Sequence, residues 1–153
     1  MSRTDTDMHV NWMLRNILSF LEGEANEKNI VFTTAFEETL PTITTDGAQV
    51  QQLLLAVVED TLAAIGADGR VDFITFSTPA RVHIQIADSS PGVTSARMNK
   101  LWQPAPVDGG AGREARSGLS VYGAVVYRLG GRISVQDRPQ GGMLFTLSLP
   151  VRG

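Results

Sequence analysis

Three segments in the C-terminal half of the chain decide the fold: IQIADSSPGV (84–93), GLSVYGAVVYRLGGRISV (118–135) and GGMLFTLSLP (141–150). The first predicts a strand that ends in a turn, because alternating apolar residues run into an Asp-Ser-Ser-Pro-Gly sequence. The second predicts a helix that stops at two glycines and is followed by a strand. The third predicts a closing strand, so a helix lies between the first strand and the last two.

Two more helices are predicted upstream from apolar residues that recur every three to four positions. One covers residues 10–21, and the stronger one covers residues 49–65. Thr45 or Asp46 is the expected N-cap of the second helix, and Gly66 is expected to end it. Both helices have one apolar face, which predicts that each packs on a sheet.

Two further strands are expected at IVFTTAF (30–36) and RVDFITFS (70–77), and the second of them forms a hairpin with RVHIQIAD (81–88), the strand that contains Ile84. A short helix is predicted over 94–102 and a poorly ordered loop over 105–117. Paired strands with helices between them favour an α+β fold, a two-layer α/β sandwich with a mixed, mostly antiparallel sheet covered on one face by helices. We expect a flexible N-terminus over 1–8 and a single domain over 9–153.

Composition excludes several classes of function. The net charge is -3, with lysine and arginine scattered along the chain, so nothing indicates a nucleic-acid site or contact with an anionic membrane. The absence of cysteine excludes disulfides, thiol chemistry and cysteine zinc sites. No apolar run approaches the roughly 20 residues that span a bilayer, and the N-terminus lacks a signal-peptide core. We therefore expect a cytoplasmic protein.

In its order and spacing of segments, the chain resembles the ATP-binding catalytic domain of bacterial sensor histidine kinases, which shares its fold with gyrase, Hsp90 and MutL ATPases. The resemblance covers about residues 9–151. It implies the Bergerat-type ATPase fold, with ATP and Mg²⁺ as ligands. Several motif positions carry a different residue here, and so the resemblance implies that Mg-ATP binding is weak or lost.

The helix over 49–65 resembles the helix that carries the metal-binding asparagine in that family. Family members have two asparagines four residues apart and a basic residue three further on, where this chain has Ala56, Asp60 and Ala63. Residues four apart project from the same side of a helix. A carboxylate is a good Mg²⁺ ligand, so Asp60 is the candidate metal residue. The alternative is that Asp60 is a solvated residue beside the apolar face.

The turn after the strand over 81–88 resembles the DxGxG segment, whose aspartate accepts the exocyclic amine of adenine. The resemblance assigns that role to Asp88 and a supporting role to Gly92, and we expect Asp60 and Asp88 to face a common cleft. Ser90 replaces the middle glycine and adds bulk to the pocket. The alternative is a plain strand-terminating turn.

Two more segments complete the resemblance. Lys100 opens KLWQPAP, which is similar to the aromatic segment beside the lid, and we assign Lys100 to ATP binding. Gly118 and Leu119 are what remains of the GxGLGL segment, whose backbone amides hold phosphate at a helix N-terminus. Glu114 and Arg116 stand where that segment has glycines. These changes favour weakened phosphate binding.

The resemblance leaves three functions open. The first is the ATPase domain of a two-component sensor kinase, whose partners are a dimerisation domain with the phosphoacceptor histidine and a response regulator. The second is a pseudo-ATPase that binds protein partners, and the third, ranked lowest, is an anti-sigma-factor-type serine kinase. His9 and His83 are the only histidines, and neither has the context of a phosphoacceptor. We expect no catalytic residue in this chain and a monomer on its own.

Overall fold

A computed structural model describes residues 5–89, 119–138 and 141–152 of the chain. The predicted helix over 94–102 and loop over 105–117 lie outside these residues. In chain order the described elements are β1 (Thr6–Met8), α1 (Val10–Glu27), β2 (Ile30–Phe36), β3 (Ile43–Thr45), α2 (Gly47–Ile65), β4 (Gly69–Thr78), β5 (Arg81–Asp88), α3 (Leu119–Arg128), β6 (Arg132–Asp137) and β7 (Met143–Pro150).

Five of the strands form a mixed sheet in the order β2-β4-β5-β7-β6. Only β2 and β4 are parallel, and the other three pairs are antiparallel. The hairpin predicted for residues 70–77 and 81–88 is present as β4 and β5. The α+β class and the mixed, mostly antiparallel sheet are confirmed.

The helices pack on one face of this sheet, and strand alternation shows which one. On β5, Val82, Ile84 and Ile86 are buried, while His83 and Gln85 on the opposite face are partly exposed. The buried set joins the apolar faces of α1 and α2 and the inner side of α3 in one core. This gives the two-layer sandwich that the sequence predicted.

The ends of α2 follow its sequence. Asp46 is the N-cap, since its carboxylate accepts a hydrogen bond from the backbone amide of Gln49 at 3.2 Å. Gly66 ends the helix with φ +80°, a conformation that glycine adopts without steric cost. Of the two predicted N-caps, the structure therefore selects Asp46.

A second, two-stranded sheet differs from expectation. Thr6–Met8, which we expected to belong to a flexible N-terminus, form β1 and pair antiparallel with β3. On its other side β3 contacts residues 151 and 152. The backbone amide of Thr44 donates to the carbonyl of Val151 at 2.8 Å, and Thr44 forms a parallel β-bridge with Arg152. Short polar strands of this kind carry little periodicity, which is why the sequence did not indicate them.

Candidate functional site

Asp88 ends β5 and is almost fully buried, with 3% of its surface exposed. The pairing of β5 with β7 stops one residue earlier, at Ala87 and Leu144. Beyond that point the Asp88 side chain replaces the backbone as the hydrogen-bond acceptor, and its Oδ1 accepts from the backbone amide of Met143 at 3.2 Å. A buried carboxylate needs such partners, and here a rigid strand supplies one.

The residues that flank the β6–β7 turn close over Asp88. Arg138 donates from Nη1 to the Asp88 backbone carbonyl at 2.7 Å. Gly142 has φ +94°, and a Cβ built there would lie 1.9 Å from the same carbonyl oxygen and 3.1 Å from Oδ1. No side chain fits in that space. Asp88 is therefore contacted through both its backbone and its carboxylate.

Asp60 lies on α2 and is exposed. Its Oδ2 accepts a hydrogen bond from the hydroxyl of Tyr122 on α3. Burial raises the pKa of Tyr122 well above its ordinary value, and the hydrogen bond to Asp60 and the charges of Asp60 and Glu59 raise it further. The hydroxyl therefore stays protonated and acts as a donor to the carboxylate. Among the described residues no group of three or more acidic or histidine side chains is placed to hold a metal ion.

A groove of about 410 Å³ runs between α2 and α3. Its lining includes Gln52, Leu53 and Ala56 from α2 and Tyr122 and Val125 from α3. Ala56 offers this groove a methyl group, which cannot coordinate a metal or bind phosphate. Ala56 therefore gives the groove an apolar wall at the position where the resemblance implies a polar ligand, while Gln49 and Arg128 also line the groove.

The six predicted site residues are only partly described by the structure. Asp88 and Asp60 have the contacts given above, on different elements. Gly92, Lys100 and Gly118 lie outside the described residues, and Leu119 is described only as the first residue of α3. That Asp60 and Asp88 face a common cleft stays a prediction, as do the ligand roles of all six.

Sequence reasoning missed Tyr122, Arg138 and Gly142. Tyr122 had a signal, since a tyrosine on a helix that packs beside α2 needs a partner for its hydroxyl. Gly142 belongs to a segment that predicts only a closing strand. Arg138 gave no signal, because its partner lies 50 residues away in the chain.

The mixed sheet under three helices, with a buried aspartate at the end of β5, places the chain in the class of two-layer α/β domains. The family model described as "Histidine kinase-, DNA gyrase B-, and HSP90-like ATPase" matches residues 45–153, and the chain belongs to this family. The resemblance stated from the sequence is thereby confirmed.

The chain is similar to several named bacterial kinases. Sensor histidine kinase ZraS of Escherichia coli (strain K12) is 28% identical over 142 residues, which cover 93% of this chain and 30% of ZraS. Sporulation kinase A of Bacillus subtilis (strain 168) is 23% identical over 145 residues, which cover 94% of this chain and 23% of that kinase. The chain thus spans less than a third of the length of these relatives.

Solved structures share the fold. The catalytic domain of histidine kinase ThkA matches with a TM-score of 0.81 at 19% identity, over 97% of both chains. Full-length ShkA in complex with AMPPNP matches with a TM-score of 0.79 at 24% identity, over 98% of this chain and 32% of ShkA. No helix within the described parts of the chain is both long and apolar enough to cross a membrane.

Proposed function

We propose that this chain is the ATPase domain of a two-component sensor histidine kinase, with its adenine contact retained and its Mg²⁺-phosphate contacts weakened. The observation that carries the proposal is the contrast between Asp88 and Asp60. Asp88 is buried and held by the backbone amide of Met143. Asp60 is exposed and already bonded to Tyr122.

The residues present fit an adenine base. A carboxylate fixed at a strand end accepts a hydrogen bond from an exocyclic amine, and guanine has a carbonyl at the equivalent ring position. Asp88 is proposed to supply that acceptor from a side chain that is almost fully buried. Gly92, four residues further along the chain, is proposed to let the backbone approach the base.

The residues present fit Mg²⁺ only in part. When bound, the ion neutralises charge on the phosphates. In this chain Asp60 is the proposed ligand, and it would have to share its carboxylate with the hydroxyl of Tyr122 or release it. Ala56 adds no ligand. Lys100, Gly118 and Leu119 are proposed to contact the phosphates. We therefore propose that Mg-ATP binding is weak.

Partners follow from the chemistry of phosphoryl transfer, in which the protein mainly positions donor and acceptor. The acceptor histidine is proposed to come from another domain, because His9 directly precedes α1 and His83 stacks on Phe76 and hydrogen-bonds Thr78, and neither has the context of a phosphoacceptor. We propose a dimerisation domain that carries this histidine, and a response regulator. ThkA has been solved in complex with the response regulator TrrA.

A second candidate is a pseudo-ATPase that binds protein partners and no ATP. Two observations favour it. The carboxylate of Asp60 is engaged within the protein, and α1 exposes two large aromatic residues, Trp12 and Phe20, with 67% and 74% of their surfaces accessible. Exposed aromatic side chains are common at protein interfaces. In this case the apolar core is retained and the nucleotide contacts are lost.

Calorimetric titration with ATP, with and without Mg²⁺, separates the two candidates. The kinase-domain proposal expects saturable binding that is lost in Asp88→Asn. An asparagine has only one acceptor oxygen, so if that oxygen accepts from Met143, the side chain presents a donor to the adenine amine. Asp7→Asn, the same change on an exposed residue of β1, is the matched control and should bind as the wild type does. No heat at millimolar ATP from folded wild-type protein would favour the pseudo-ATPase.

A further inference from the structure

Two residues to which the sequence assigned no ligand role contact Asp88 directly. Arg138 hydrogen-bonds its backbone carbonyl at 2.7 Å, and Gly142 leaves the space in which that carbonyl lies. Both residues belong to the connection between β6 and β7, which is 50 or more residues away in sequence. The connection is itself held together, since Arg138 donates to the carbonyl of Gly142 at 2.9 Å and accepts from Gly141 at 3.0 Å.

These contacts restrict the orientation of the Asp88 carboxylate. The backbone of Asp88 is held at its carbonyl by Arg138, and one carboxylate oxygen is held by Met143. Because both the carbonyl and the carboxylate of Asp88 are hydrogen-bonded, its side chain has little freedom to change rotamer. An acceptor that is held in place before the base arrives discriminates better between bases, because little binding free energy is lost in ordering it.

We propose that Arg138 and Gly142 are positioning residues that set the preference for adenine over guanine by fixing the orientation of Asp88. The proposal rests on the proposed function, since it places an adenine nucleotide at Asp88. Neither residue contacts the base. Their effect passes through Asp88, so it is measured as a change in base discrimination as well as in affinity.

The main test compares Arg138→Ala with the wild type by titration with ADP and with GDP, without Mg²⁺ so that the base contact dominates. ADP affinity should fall roughly tenfold, because the hydrogen bond from the adenine amine to the Asp88 carboxylate is weakened when that carboxylate is no longer held in place. The ratio of ADP affinity to GDP affinity should fall as well. Arg138→Lys, which keeps a donor, should restore part of that ratio. Arg132→Ala, an exposed arginine at the other end of β6, should leave it unchanged.

Gly142→Ala provides the second test, with Gly141→Ala as its control. Both glycines have positive φ, +94° and +101°, so an alanine strains the backbone at either position. Only at Gly142 does the added Cβ meet Asp88, because a Cβ at Gly141 has no atom within 4 Å. If both variants fold, Gly142→Ala should lose ADP binding and Gly141→Ala should keep it.

The outcomes separate this inference from the function on which it rests. Wild-type protein that binds no adenine nucleotide overturns both. Binding that is lost in Asp88→Asn, together with an unchanged ADP-to-GDP ratio in Arg138→Ala, overturns only the inference. A uniform loss of affinity for both nucleotides in Arg138→Ala also overturns it, because that is the result of a merely structural role.

Discussion

Two aspartates at the proposed nucleotide site are held in opposite ways. Asp88 is buried at the end of a central strand, and its described partners are the backbone amide of Met143 and the guanidinium of Arg138 beside the β6–β7 turn. Asp60 is exposed on a helix, and its described partner is one hydroxyl on a neighbouring helix. The difference teaches that the proposed base contact is built into the fold, whereas the proposed metal contact depends on a side-chain hydrogen bond between two helices.

The largest difference between the two aspartates is expected in their contribution to stability. Asp88→Ala leaves the amide of Met143 buried without its acceptor, and the unfolding free energy should fall by about 1–3 kcal/mol. Asp60→Ala, an exposed position, should change it by no more than about 0.5 kcal/mol. Urea denaturation of both variants measures the difference. Equal losses would show that the two aspartates are held alike.

Tyr122→Phe sharpens the comparison on the side of Asp60. Without the hydroxyl the carboxylate is no longer shared, so Mg²⁺ should increase ATP affinity more than it does in the wild type, by about threefold to tenfold. The measurement is the ratio of ATP affinities with and without Mg²⁺. Tyr127→Phe, on the exposed side of α3, is the control. A ratio that stays at the wild-type value would remove Tyr122 from the account of weak metal binding.

A smaller effect should appear in alkaline solution. The folded-state pKa of Tyr122 is raised above its ordinary 10.0, chiefly by burial and then by the contact with Asp60. The folded protein therefore holds a proton that the unfolded chain releases, so this stabilisation is complete below pH 10.0 and is lost as the pH rises above it.

The stability of the wild type should thus fall with increasing pH above that value, and Tyr122→Phe should fall less steeply. Urea midpoints across this range, with Tyr127→Phe as the second reference, measure the slopes. Identical slopes in the wild type and Tyr122→Phe would contradict the coupling.

The sequence predicted those parts of the molecule that depend on periodicity. Val82, Ile84 and Ile86 alternate, and so they identified both β5 and its buried face. Gly66 and Asp46 mark the ends of α2 by local chemistry, which needs no knowledge of the fold. Local rules of this kind act within one turn or one strand, and they recovered the mixed sheet with its helical layer.

What the sequence did not predict depends on contacts between distant residues. Tyr122 and Asp60 are 62 residues apart, and Arg138 and Asp88 are 50 apart. Their meeting is decided by how α3 and the β6–β7 connection pack, and no pattern in the chain records that packing. The strand over Thr6–Met8 was missed for a related reason, because β3 alone makes it a strand.

That strand has a mechanical consequence. The two sides of β3 are occupied by β1 and by the segment at Val151 and Arg152, so residues 5 and 152 emerge beside the same short strand. Tension applied between these two points acts first on the few hydrogen bonds around β3. The five-stranded sheet carries load only after those bonds part, and a pulling experiment should record the small sheet as an early, low-force step.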